Sequence, residues 1–108
     1  MAAEKNSTPT TTFNFVQRQG RPERLAAEVE IVFGEEAGVL FGIKLVGLSI
    51  WRSDKGHLYV TLPAKPGREG RYFEYLRPAR VGNGSPKALR GEILREWAAS
   101  RAAAGPAT

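Results

Sequence analysis

The 108-residue chain contains no cysteine and one histidine, His57. The first absence excludes a disulfide scaffold, a thiol nucleophile and a Cys-ligated zinc or iron–sulfur site. It also fits a reducing compartment. The second excludes a histidine-rich metal site and leaves a Ser/His/Asp triad only one way to form. Long apolar runs are lacking too: none approaches the ~20 residues that a membrane helix needs. The stretch from Met1 to Pro9 has no apolar core of the kind a signal peptide carries. These gaps predict a cytoplasmic protein with no metal, no cofactor, no membrane contact and no small-molecule substrate, one that binds rather than catalyses. The length suits a single domain and leaves no room for two. With 42% hydrophobic and 25% charged residues, the composition is that of a globular protein.

What the chain does have is positive charge, and it is unevenly placed. Sixteen Lys and Arg face eleven Asp and Glu, for a net charge of +5. Residues 1–62 carry seven bases and seven acids, whereas residues 63–108 carry nine bases and four acids. Seven of those nine bases are Arg, which makes forked bonds to phosphate that Lys cannot. Such an asymmetry reads either as a solvated face that aids solubility or as the footprint of a polyanion.

Hydropathy patterning predicts an α+β domain over residues 13–101, between tails at 1–12 and 102–108. A short strand is expected from Phe13 to Arg18. In the next strand Leu25, Ala27, Val29, Ile31 and Phe33 are apolar, with Ala26, Glu28 and Glu30 on the wet face between them. Val39 to Trp51 is apolar on both faces apart from Lys44 and Ser49, which predicts a central strand covered on two sides. Gly42 and Gly47 within it suggest a bulge or a close backbone approach. Ser53-Asp54-Lys55-Gly56 is a good hairpin loop. The strand after it puts Leu58, Val60 and Leu62 on one face, and His57, Tyr59 and Thr61 on the other. A loop from Pro63 to Gly70 then leads to a fifth strand, Arg71 to Leu76. The period next changes to helical. Ser85 is a suitable N-cap and Pro86 a suitable first residue, and Leu89, Ile93 and Trp97 form one stripe running to about Arg101. Arg90 falls at the edge of that stripe, its stem expected to pack and its head to reach outward. Five antiparallel strands with a C-terminal helix on one face leave the other face partly apolar, and a sheet-mediated homodimer would cover it.

The stretch Gly56-His57-Leu58-Tyr59-Val60-Thr61-Leu62-Pro63-Ala64-Lys65, followed by Gly70-Arg71-Tyr72-Phe73-Glu74-Tyr75 and Pro78, resembles the SpoVG family (stage V sporulation protein G, a septation regulator). Members carry Gly-Leu-Phe-Val-x-Met-Pro-Ser-Lys, then Gly-x-Phe-Arg-Asp and a proline. The closing Ile93-Leu94-Arg95-Glu96-Trp97 is similar to the family's Val-Leu-x-Glu-Tyr. The resemblance covers about residues 13–101. It implies a small α+β dimer and a regulator that binds DNA and RNA. Family binding is attributed to a Lys-Arg pair after the Ser and to the Arg after Gly-x-Phe. Of these, Lys65 is retained, while Pro66 and Phe73 stand at the other two positions. Arg68 and Arg71 lie on the same loop and could replace the charge. An insertion of about two residues around Val81 to Gly84 is a further departure.

On these grounds the candidate phosphate-binding residues are Lys65, Arg68 and Arg71, supported by Arg77, Arg80 and Lys87 along a cationic rim. If ~4–6 of them meet duplex phosphates, log K should fall with log salt at a slope of about −4 to −5. Tyr59 and Tyr72, with Trp51 and Tyr75, are candidate stacking residues. Gly82-Asn83-Gly84-Ser85-Pro86-Lys87 sets glycines and a lysine at a helix N-terminus, without the spacing of a Walker A motif. Two other partners fit the same features: an acidic protein docking on the rim, or single-stranded DNA bound as by a transcriptional coactivator. Catalysis has little footing. Glu28 and Glu30 read as a solvated strand face, and Ser53, Asp54 and His57 as turn residues that cannot orient a triad.

Overall fold

The computed structural model describes residues 10–79 and 85–103. The elements are β1 (Thr12–Val16), β2 (Leu25–Val32), a 3-10 turn (Glu35–Leu40), β3 (Lys44–Arg52), β4 (Leu58–Thr61), β5 (Ala64–Pro66), a second 3-10 turn (Arg68–Gly70), β6 (Tyr72–Glu74) and helix α1 (Pro86–Ala103). Strands β1 to β4 pair antiparallel in chain order, and β5 and β6 pair only with each other. The fold is α+β, with six strands where five were expected. Of the expected tails, residues 1–9 and 104–108 lie outside the described residues. Thr12 already opens β1, and Ala102 and Ala103 continue α1.

Period-two patterning makes β2 the spine of the sheet. Leu25, Ala27, Val29 and Ile31 are buried, with Glu28 and Glu30 half-buried between them. Ala26, expected on the wet face, is buried as well. A register shift between Leu25 and Ala27 explains this, because the extra residue of a bulge loses its alternation. A second shift lies between Val29 and Ile31. There β3 carries the extra residue, and Gly47 takes a φ of 94°, a left-handed value suited to glycine. A Cβ at Gly47 would also press on the Pro63 side chain at 3.3 Å.

The expected strand from Val39 starts five residues later, at Lys44. Gly38 and Gly42, at φ 64° and 87°, break the extended run and put Val39 and Leu40 in the 3-10 turn. Nor is β3 covered on both sides. Leu48 and Ile50 are buried, but Val39, Leu40, Phe41, Ile43 and Val46 are exposed. Hydrophobicity there reflected an uncovered patch, not a two-sided core.

The Ser53–Gly56 loop forms as patterned: Ser53 N–H donates to the His57 carbonyl at 2.8 Å, and Gly56 N–H to the Ser53 carbonyl at 2.9 Å. Val60 and Leu62 enter the core while Tyr59 and Thr61 face out. The segment read as a loop from Pro63 contains β5. Its partner β6 is shorter than the expected strand from Arg71 to Leu76, and the pair does not join the main sheet. Pro66 suits such an isolated hairpin, since its missing N–H breaks no central ladder.

Helix α1 closes the core. Ser85 caps it, its Oγ accepting from Ala88 N–H at 3.1 Å. Ile93 and Trp97 are buried against β2, β3 and β4 residues, and Leu89 is half-buried beside them. The Trp97 ring meets Phe15 edge-on at 5.2 Å, with the Arg101 guanidinium also 5.2 Å from the Trp97 ring. The Arg90 head does not reach outward. Its Nε donates to the Val60 carbonyl at 3.2 Å and its terminal nitrogen to Glu74 Oε2 at 2.5 Å. Sitting beside β4, the guanidinium finds a strand carbonyl and a hairpin carboxylate within reach.

The helix covers one sheet face, and the other divides in two. Over β1 and β2 it carries charge between apolar ends: Asn14 pairs across strands with Glu30, and Glu28 lies between Val16 and Ser49. Lys44 and Arg18 meet Glu30 and Glu28, each at 3.3 Å. Over β3 and β4 it is aromatic, with Trp51 directly opposite Tyr59.

Candidate nucleic-acid interface

The β5–β6 hairpin stands beside the aromatic part of the open face, and two recesses result. The smaller, about 390 Å³, lies at the hairpin tip and is lined by Lys65, Arg68, Glu69, Arg71 and Phe73 among others. The chain makes it with two unusual backbone features. Glu69 holds a left-handed φ of 61°, which turns the tip sharply. Gly67 lies under the Phe73 ring so closely that a Cβ there would overlap it. Gly67 N–H donates to the Arg71 carbonyl at 2.7 Å and locks the tip.

The larger recess is a groove of about 950 Å³ between the sheet face and the hairpin. Trp51 and Tyr59 form one wall, and Tyr72 and Phe73 line it from the hairpin. Gly47 contributes to its lining with no side chain, and Arg77 stands among the lining residues. Trp51 Nε1–H donates to Thr61 Oγ1 at 3.0 Å, which fixes the indole and satisfies its one donor. The Arg77 Nε–H donates to the Glu74 carbonyl at 2.9 Å. Tyr59, Tyr72 and Phe73 keep 47%, 72% and 41% of their surface exposed. Phe73 lines both recesses.

The structure thus gathers Lys65, Arg68 and Arg71 at one tip and sets Arg77 on the groove. Lys87 is exposed on the first turn of α1 and lines neither recess. Arg80 and the Gly82-Asn83-Gly84 segment lie outside the described residues. Of the candidate stacking residues, Trp51, Tyr59 and Tyr72 share the groove. Tyr75 is exposed outside it, its N–H bonded to the Pro63 carbonyl at 2.9 Å. Phe73 was legible only as an aromatic beside Tyr72 on the basic loop and Gly47 only as a point of close backbone approach, and Gly67 was not legible as a site residue. A further cue was the Gly-rich run around Tyr72-Phe73, which allows a tight hairpin without showing where its rings go.

Ion pairs occur in both halves of the chain: Arg90 and Arg95 pair with Glu74 and Glu92, while Arg21, Arg52 and Lys55 in the neutral half have no ion pair among the described residues. In the neutral half Arg18, Arg24 and Lys44 pair with Glu28, Asp54 and Glu30. Lys65, Arg68, Arg71, Arg77 and Lys87 have no carboxylate partner among the described residues. Glu74, the acid lining the groove, is already neutralised by Arg90. Two carboxylates away from both recesses titrate below the usual glutamate range. Glu36 is held there by the Thr11 N–H, and Glu92 by its hydrogen bond from Arg95.

Glu28 and Glu30 are each engaged by a base, and Ser53 Oγ accepts the His57 backbone N–H as part of the turn. No cluster of three or more His, Asp or Glu suited to a metal occurs among the described residues, and no described helix is long and apolar enough to cross a membrane. Comparison of the chain with protein-family models, curated proteins and solved structures finds no match.

Proposed function

We propose that the protein is a non-enzymatic DNA- and RNA-binding regulator of the SpoVG type, gripping phosphates through the tip of the β5–β6 hairpin. The observation that carries this reading is the set of unpaired bases. Lys65, Arg68 and Arg71 converge on one recess, where they outnumber its single acid, Glu69, and none of the three forms an ion pair among the described residues. Arg guanidinium groups left in this way favour a phosphate, to which they can make two parallel bonds. The +5 excess of residues 63–108 would draw a polyanion to that side. A cytoplasmic location and homodimer belong to the same reading. The dimer interface is assigned to exposed aliphatic residues at the turn before β3 and its start, among them Val39, Ile43 and Val46, because the open face over β1–β2 is charged.

Fluorescence polarisation tests the assignment with duplex DNA, single-stranded DNA and RNA, using the wild type and the triple variant Lys65→Ala, Arg68→Ala, Arg71→Ala. Each phosphate contact removed should flatten the duplex salt slope by about 0.9, so the triple variant should lose about 2.7. Absence of wild-type binding at ~100 mM salt would sink the proposal. Equal binding by the triple variant would sink the site, and binding of acidic peptides alone would favour a protein partner.

A further inference from the structure

We infer that the groove between the sheet face and the β5–β6 hairpin stacks unpaired nucleobases, making single-stranded nucleic acid the preferred ligand. This rests on the phosphate-binding reading and adds the part of the ligand that enters the protein.

Four features support it together. The groove is lined by aromatic side chains from two elements, Trp51 and Tyr59 from the sheet and Tyr72 and Phe73 from the hairpin. Its volume, about 950 Å³, is at the upper end of ligand pockets, so several planar groups fit. The Trp51 donor is already satisfied by Thr61, so that indole offers a base apolar contact and no free hydrogen-bonding group. Phe73 lines both this groove and the cationic tip. A strand whose phosphates lie on Lys65, Arg68 and Arg71 therefore has its bases next to the aromatic wall.

The alternatives fit less well. A duplex keeps its base faces stacked on one another, and extracting one costs a few kcal/mol. A second copy of this chain would bring Arg77 and the unpaired tip bases against their own like charges, whereas a polyanion neutralises them. Glu74 does not repel an incoming phosphate, since Arg90 holds it. Recognition by ring faces is tolerant of sequence because every base has them. The groove thus selects unpaired over paired strands more than one base over another.

The test compares a roughly 10-nucleotide oligothymidylate, within the ~4–16 nucleotides such surfaces occupy, with an abasic phosphodiester oligomer of equal length and with duplex DNA. Wild-type protein should bind the oligothymidylate more tightly than the abasic oligomer. Tyr72→Ala and Tyr59→Ala should each weaken oligothymidylate binding about 5- to 150-fold while leaving the abasic oligomer and duplex within about twofold. Tyr72→Phe should restore binding and Tyr72→Leu should not; thermal melts confirm that each variant is folded. Equal wild-type affinity for the two single strands, with the tyrosine variants unchanged, overturns the stacking site and leaves phosphate binding standing. No wild-type binding to any of the three overturns both. A change in sedimentation by Tyr59→Ala or Tyr72→Ala with no change in the affinity ratio makes the groove an interface between copies and also overturns the inference.

Discussion

Arg90 joins three parts of the molecule, and replacing it tests whether that junction holds the groove open. The guanidinium bonds the Val60 carbonyl on β4 and the Glu74 carboxylate on β6, from a helix packed on the opposite side of the sheet from the groove. Arg90→Met keeps most of the packed stem and removes both bonds. A hydrogen bond to a charged group contributes ~1.5–3 kcal/mol when well shielded. The Arg90 and Glu74 side chains are 34% and 38% exposed, so solvent screening lowers that figure. A loss of about 1–2 kcal/mol is expected, or roughly 4–16 °C in Tm for a domain of this size. A double-mutant cycle with Glu74→Gln isolates the pair, and its coupling should be ~0.5–1.5 kcal/mol. Urea titration and calorimetry measure both. The same variant should narrow the affinity gap between oligothymidylate and its abasic counterpart, because the hairpin side of the groove loses its anchor. A coupling below ~0.3 kcal/mol, with stability unchanged, would refute the claim that the bridge holds the hairpin to the core.

Two further results follow from the fold. Ile93 is fully buried, so Ile93→Ala should cost ~2–5 kcal/mol in a urea melt with little change in the slope of the transition. A loss under ~1 kcal/mol would mean that the helix packs loosely on the sheet. The Glu36 carboxylate accepts the Thr11 N–H, which lowers its pKa in the folded state. Its contribution is therefore present above the usual glutamate pKa and lost as pH falls through the lowered folded value. Tm of Glu36→Gln should fall less steeply than wild type between neutral and acid pH, and parallel curves would contradict this.

Much of the secondary structure was legible because local chemistry decides it. Ser85 caps α1 through its own hydroxyl, and Leu89, Ile93 and Trp97 lie on one stripe because the helical repeat puts them there. Alternation along β2 and from His57 to Leu62 likewise marked Val29, Ile31, Val60 and Leu62 as core, although Leu58, on the same side, is exposed. The misread regions have different causes. Val39 to Ile43 is hydrophobic, yet two left-handed glycines, Gly38 and Gly42, prevent it from extending. Ala26 changes side because a bulge intervenes, and β5 hides in a segment that reads as a loop because Lys65, Pro66 and Gly67 have little strand preference. The bulge at Ala26 depends on pairing with β3 and the short β5 on pairing with β6, and the alternation of residues along one strand specifies neither.

The candidate site divides along the same line. The sequence by itself determined that the positive charge collects after residue 62, that Lys65, Arg68 and Arg71 lie on one short segment, and that Tyr59 and Tyr72 flank it. These are matters of covalent order and alternation. Only the tertiary structure decided that the hairpin stays off the main sheet and leaves a groove beside it. It also brought Trp51 and Tyr59 opposite Tyr72 and Phe73, and turned Arg90 inward to neutralise Glu74. Those outcomes depend on contacts between residues far apart in the chain, where packing and charge pairing in three dimensions determine what the local pattern leaves open.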